Sequence, residues 1–200
     1  MIKVIYFDIG GVIVTDGFEK IAALFAKELD IDEQKIYDAH LKTADWKQSV
    51  GKDYRARWRA FVNELGRPDV DIDHLIELAH TSFVPIQGTL DIISQLKGKF
   101  ILGILSDQTT HMKSLIAGWH FLEQFDIRMI SYELGHSKDE PDTPIYDMAI
   151  EKAGVKPEEI LFIDNLERNI KDSSAKGIQT ILFKSPEQLK AELVSKGILR

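Results

Sequence analysis

Three short apolar runs in this chain end on a side chain able to do chemistry, and a fourth segment supplies another. Asp8 follows Val4-Ile5-Tyr6-Phe7, Ser106 follows Ile101-Leu102-Gly103-Ile104-Leu105, and Asp164-Asn165 follow Ile160-Leu161-Phe162-Ile163. Lys138 lies in Gly135-His136-Ser137-Lys138, ahead of a helical pattern near Ile145. A carboxylate can attack an electrophile or hold a hard cation, and a hydroxyl and an ammonium can hold an anion. Such groups matter most where they converge, and open α/β sheets bind ligands outside the carboxyl ends of their strands.

The elements that must position them are legible from periodicity. Residues 2–8, Phe100–Leu105, Ile127–Ile130, Ile160–Ile163 and Thr180–Phe183 are short, apolar and rich in β-branched residues, as strands buried on both faces should be. Between them run helical patterns at Leu90–Leu96, Thr110–Ala117, Ile145–Ala153, Leu166–Lys176 and Pro186–Ser195. Strand alternating with helix predicts an α/β fold: a Rossmann-like parallel sheet with helices on both faces.

The stretch 16–83 differs. Phe18, Ile21, Ala22, Phe25 and Leu29 recur at helical spacing, as do Tyr54, Trp58, Phe61, Val62 and Leu65, then Ile72, Leu75, Ile76 and Ala79. Asp16 and Asp71 are placed to cap the first and last of these helices. We expect about four helices here, inserted as a small bundle into a core of residues 1–15 and 84–200, with Val84-Pro85-Ile86-Gln87-Gly88 as the return.

Composition narrows the partners. The 200 residues are 44% hydrophobic and carry a net charge of −7, which argues against nucleic acid or an anionic membrane as the main partner. Cysteine is absent, excluding disulfide and thiol chemistry. The start lacks a basic stretch followed by a long apolar run, and no run reaches a membrane span, so a cytoplasmic protein is expected. The histidines His40, His74, His80, His111 and His120 show no metal-ligand spacing.

Taken in order, Asp8-Ile9-Gly10, Ser106, Lys138 and Asp164-Asn165 resemble the motifs of the haloacid dehalogenase (HAD) superfamily. The likeness extends into the tail, through Phe162-Ile163-Asp164-Asn165 and Gly177-Ile178-Gln179-Thr180-Ile181-Leu182. It spans the whole chain, and the 16–83 bundle sits where the family's C1-type helical cap sits. The resemblance implies a phosphatase-like hydrolase in which Asp8 attacks phosphorus, forming an aspartyl-phosphate. It implies Mg²⁺ held by Asp8, the backbone carbonyl of Gly10, Asp164 and Asn165. Phosphate would meet Ser106, Asp107, Lys138 and the backbone N–H groups around Ile9 and Gly10. A cap residue, Trp46, is a candidate substrate contact.

The chain departs from the family pattern at informative places. Gly10 stands where phosphatases carry a second Asp as general acid, help typically worth ~10²–10⁴-fold. Asp16, Asp107 or His136 could substitute. Asn165 replaces the second carboxylate of an acidic pair. Asp107 stands where relatives often carry Asn, and a carboxylate near a phosphate would repel it unless it points away. Lys138 is followed by Asp139-Glu140 before Pro141, where relatives usually go directly to Pro.

The resemblance therefore implies a Mg²⁺-dependent phosphatase of small phosphorylated metabolites, sugar phosphates among them. The main alternative is a weak or inactive relative that binds a phosphorylated ligand or a protein partner. Dehalogenation and carbon–phosphorus cleavage rank behind both, because Asp164-Asn165 has the look of a metal motif. Phosphomutase chemistry, which needs the missing acid, ranks last.

Overall fold

A computed structural model describes the chain except residues 16, 17, 45, 46, 51–53, 111 and 113–117; for residues 18, 19, 48, 49 and 54 only the backbone is described. Its centre is a five-stranded parallel sheet in the order β3-β2-β1-β4-β5. The strands are β1 (Val4–Phe7), β2 (Ile101–Ser106), β3 (Ile127–Ile130), β4 (Ile160–Asp164) and β5 (Gln179–Leu182). Chain order reverses at β1, which pairs with β2 on one side and β4 on the other. Val4–Phe7 therefore align with Ile101–Ile104 and with Ile160–Ile163, bringing Asp8, Ser106 and Asp164 to the same end of adjacent strands.

The period of two along each strand divides the core into two layers. Ile5, Phe7, Leu102, Ile104, Leu161 and Ile163 pack on one side, with α6 (Gln87–Leu96) and α10 (Pro186–Ser195). Val4, Tyr6, Leu105, Ile160 and Phe162 pack on the other, with α8 (Ile145–Ala153). Gly103 faces the Tyr6 ring too closely for any Cβ. The Tyr6 hydroxyl donates to the Ala149 carbonyl at 2.9 Å, which satisfies the one polar atom of a fully buried ring. The helix α9 (Glu167–Ala175) precedes β5, and a short helix, α7 (Ser131–Leu134), follows β3.

Between β1 and α6 the described residues form five helices: α1 (Phe18–Leu29), α2 (Glu33–Thr43), the one-turn α3 (Lys47–Val50), α4 (Tyr54–Glu64) and α5 (Ile72–His80). Among the described residues, α1, α2, α4 and α5 share an apolar cluster of their own, in which Ile21, Phe25 and Leu29 meet Ile36, Phe61, Val62 and Leu75. Phe25 lies edge-on to Trp58 with ring centroids 5.8 Å apart. Asp71 caps α5 as expected, accepting from the Asp73 N–H; Asp32 does the same for α2 through Gln34. The cap assigned to Asp16, and most of the helix expected over Thr110–Ala117, lie outside the described residues.

The chain leaves and rejoins the sheet through two segments laced together. Val14 bridges Pro85, Ile86 N–H donates to the Ile13 carbonyl at 2.8 Å, and Thr15 N–H donates to the Val84 carbonyl at 2.8 Å.

Candidate active site

At the carboxyl end of the sheet, Lys138 Nζ lies 2.9 Å from Asp8 Oδ2 and 2.8 Å from Asp164 Oδ2. All three residues are buried, and the ammonium stands 5.6 Å from the centroid of the Phe162 ring. One cation thus links two carboxylates delivered by adjacent strands.

Each carboxylate has its own surroundings. Asp164 gathers three donors: Lys138 Nζ, Asn169 Nδ2 at 2.9 Å and the Leu166 N–H at 2.8 Å. Burial pushes its pKa up, but the ammonium and these hydrogen bonds outweigh it and hold the carboxyl below the usual range. Asp8 has the ammonium and its neighbour Ile9 N–H, which donates to Oδ1 at 2.8 Å. Burial raises it to about 7; Lys138 pulls down and the Asp164 charge pushes up. Burial alone would lower Lys138, yet the charges of Asp8, Asp164 and Asp107 prevail and hold it above the usual lysine range.

Ser106 closes a third side. Its Oγ accepts from Gln108 Nε2 at 3.1 Å and, at 3.4 Å, from the Ile9 N–H. The turn after β1 is tight: the Ile13 and Val14 N–H groups both donate to the Ile9 carbonyl, at 2.9 and 3.0 Å, and Gly11 N–H donates to the Val14 carbonyl at 2.8 Å. Gly11 takes φ +74° there, a left-handed conformation that suits glycine. The Asn165 amide fills the space that a Cβ on Gly11 would need.

The expected site residues Asp8, Ile9, Ser106, Lys138 and Asp164 come together, and Asn165 borders the Gly10–Gly11 turn. Asp107 does not face that centre: its carboxylate accepts from Ser137 Oγ at 2.8 Å and from the Lys138 N–H at 3.0 and 3.1 Å. His136 pairs with Glu140, Nδ1 to Oε2 3.0 Å. Trp46 and Asp16 lie outside the described residues. Asn169 and Gln108 were not among the expected site residues. Asn169 had a signal, since it falls in the first helical turn after Asp164, the turn that faces back to the strand end. Gln108 had none.

The donor set suits a hard cation. Two carboxylates converge on one ammonium, and the donor atoms both could offer a cation are oxygens. Among the described residues there is no group of three His, Cys, Asp or Glu side chains that could hold a metal. No described helix is long and apolar enough to cross a membrane.

Comparison with known proteins agrees with this architecture. The chain is 27% identical over 190 residues to the D-ribitol-5-phosphate phosphatase of Bacteroides thetaiotaomicron, covering 90% of this chain and 91% of that one. Its fold is similar to a HAD family enzyme of the same organism solved in complex with magnesium and inorganic phosphate, with TM-score 0.69, 23% identity and coverage of 92% and 96% of the two chains. It is also similar to a HAD-like hydrolase of Porphyromonas gingivalis, with TM-score 0.76 and 21% identity over the full length of both chains. The model of the haloacid dehalogenase-like hydrolases matches residues 2–171, and the chain belongs to that family of hydrolases.

Proposed function

We propose that this hydrolase is a Mg²⁺-dependent phosphatase of small phosphorylated metabolites, sugar phosphates among them, working through an aspartyl-phosphate on Asp8. The observation that carries this reading is the buried meeting of Lys138 with Asp8 and Asp164 beside Ser106. The similarity to a ribitol-phosphate phosphatase supports the substrate class. In this reading residues 16–83 form a cap over the strand ends and contribute substrate choice.

Asp8, Asp164, the Gly10 carbonyl and Asn165 would hold the metal. When bound, Mg²⁺ neutralises charge on the phosphoryl group and on the carboxylates that face it. The remaining work falls to the chain. Lys138 Nζ and Ser106 Oγ hold phosphate oxygens, assisted by the Ile9 N–H. An Asp8 carboxylate oxygen bonds to phosphorus as the ester oxygen leaves with its electron pair. Water then attacks the phosphorus, the Asp8–phosphorus bond breaks, and phosphate departs. Asp164, fixed by Asn169 and Leu166, keeps the ammonium in register with Asp8.

Gly10 offers no proton to the leaving oxygen. Turnover should therefore favour leaving groups stable as anions, such as acyl, aryl or anomeric phosphates, over simple alkyl phosphates. Gly10 also favours a second reading, a weakly active relative that binds a phosphorylated ligand. Phosphate release from a panel of esters, with and without Mg²⁺, tests both. Mg²⁺-dependent release that disappears in Asp8→Asn supports the first. Phosphate binding by the folded protein with no release from any ester supports the second.

A further inference from the structure

We propose that Asp107 is the positioning residue for Lys138, holding a loop-borne ammonium in register with the carboxylates of β1 and β4; this rests on the phosphatase reading for what Lys138 does, but not for where it sits.

Lys138 belongs to no helix or strand. Its segment starts at Gly135, in left-handed conformation at the end of α7, and runs irregularly to α8 at Ile145. A lysine has a long flexible stem, so a rigid ammonium needs a rigid backbone beneath it. Asp107 provides the anchor. It follows Ser106, the last residue of β2 and fully buried in the sheet. Its two carboxylate oxygens accept from Lys138 N–H, and Oδ2 also takes the Ser137 hydroxyl. Ser137 Oγ in turn accepts from the Asp139 N–H at 3.1 Å. Residues 137–139 are thus organised around one carboxylate.

The base of that carboxylate is itself pinned. Ser131 Oγ accepts from the Gln108 N–H at 2.9 Å and donates to the Gln108 carbonyl at 3.0 Å, fastening the β2 end to the start of α7. The outer tie of the same loop, Arg168 to Asp139 at 2.6 Å, is solvent-exposed and contributes little. A neutral side chain could accept fewer bonds at position 107. Burial pushes this carboxyl up from its usual range, and the charge of Lys138 and the hydrogen bonds from Lys138 and Ser137 pull against it.

The test compares Asp107→Ala, Asp107→Asn, Lys138→Ala and the Asp107→Ala/Lys138→Ala pair. One arm is independent of turnover: native protein is treated with an amine-acylating reagent and modification at each lysine is read by mass spectrometry. Lys138 should be protected in the wild type. In Asp107→Ala it should react at least about tenfold faster, approaching exposed Lys152 and Lys190, whose rates stay unchanged. Asp107→Asn, which keeps one acceptor, should fall between, and serves alone if the alanine variant does not fold. In the kinetic arm, Asp107→Ala should raise KM for a phosphate ester towards the Lys138→Ala value. The double variant should then match Lys138→Ala within about twofold, as residues acting through one group are non-additive. Lys138 still protected in folded Asp107→Ala, or effects that multiply in the double variant, overturns the proposal. If the wild type hydrolyses no ester, the phosphatase reading fails while the acylation arm still decides the role of Asp107.

Discussion

Gly11 packs against Asn165 so closely that a Cβ on Gly11 would stand 2.7 Å from the Asn165 Cγ, whereas a Cβ on the adjacent Gly10 would meet nothing within 4 Å among the described residues. Two consecutive glycines therefore answer to different constraints. Gly11 is required by its positive φ and by the amide beside it. Gly10 is not required by space, and its backbone does not adopt a left-handed conformation.

This difference makes the first prediction. Gly11→Ala should destabilise by more than the ~1–2 kcal/mol that left-handed backbone alone costs, because Asn165 must also move. Gly10→Asp should fold normally and supply the missing proton donor. On a simple alkyl phosphate it should raise kcat/KM by ~10²-fold, the low end of general-acid help, while changing an aryl phosphate far less. Denaturant unfolding and a pair of esters measured side by side decide it. An unchanged alkyl-to-aryl ratio would mean that Gly10 does not set the substrate range.

The second prediction concerns the ion cluster. Lys138→Met leaves Asp8 and Asp164 facing each other in a buried site with no counter-charge. Removing one partner of such a cluster typically costs ~3–5 kcal/mol. The loss should be seen in urea unfolding at neutral pH without divalent metal, and should shrink as the pH falls. The sign follows from Asp8, which burial already holds up to about 7. Without the ammonium it takes up a proton more readily, and one of the two negative charges disappears. A loss independent of pH would show that Lys138 stabilises by packing on Phe162 instead.

Much of the sheet was legible because its strands are buried on both faces and read as continuous apolar runs. Ile127–Ile130 agrees at both ends, and the others differ by one or two residues where hydrogen bonding, not hydrophobicity, sets the limit. Ser106 and Asp164 belong to their strands for that reason, although both are polar. Polar function at strand ends was visible as type and order. Direction was not: nothing in the sequence tells whether the Asp107 carboxylate faces the phosphate site or the loop carrying Lys138. That depends on Ser137, thirty residues away. Periodicity located α1, α4 and α5 but named no residues of α2, and a single turn such as Lys47–Val50 has too few residues to show a period; the described residues form five helices where about four were expected.

A third prediction lies in those helices. Arg57 Nη2 donates to His40 Nδ1 at 2.9 Å, an arrangement that requires a neutral imidazole. Burial, and then the Arg57 charge, lower His40 to about 4. Because the folded pKa lies below the unfolded value, the unfolded chain binds the proton more readily at intermediate pH. Stability is therefore full above the ordinary histidine pKa and lost as pH falls from there towards about 4. With partial exposure taken into account, the loss should be on the order of 1–2 kcal/mol. His40→Gln should flatten this part of the stability–pH curve. A curve of unchanged slope in that variant would assign the acid sensitivity to other groups.

The last prediction concerns the paired segments that join the helices to the sheet. Thr15 Oγ1 donates to the Ser82 carbonyl at 2.7 Å and accepts from the Val84 N–H at 3.0 Å, so one hydroxyl spans the incoming and outgoing chains. Thr15→Val keeps the shape and removes both bonds. Val84 is half-exposed and its freed N–H can reach water, whereas the carbonyl of buried Ser82 loses its donor, so the cost should be about 1–3 kcal/mol. The effect should be local. Amide exchange should quicken at Val84 and its neighbours, while the strands β1 and β4 keep their protection, because opening here need not disturb the sheet. Thr15→Ser should restore protection at Val84. Equal loss of protection in the strands would show instead that the lacing and the sheet open as one unit.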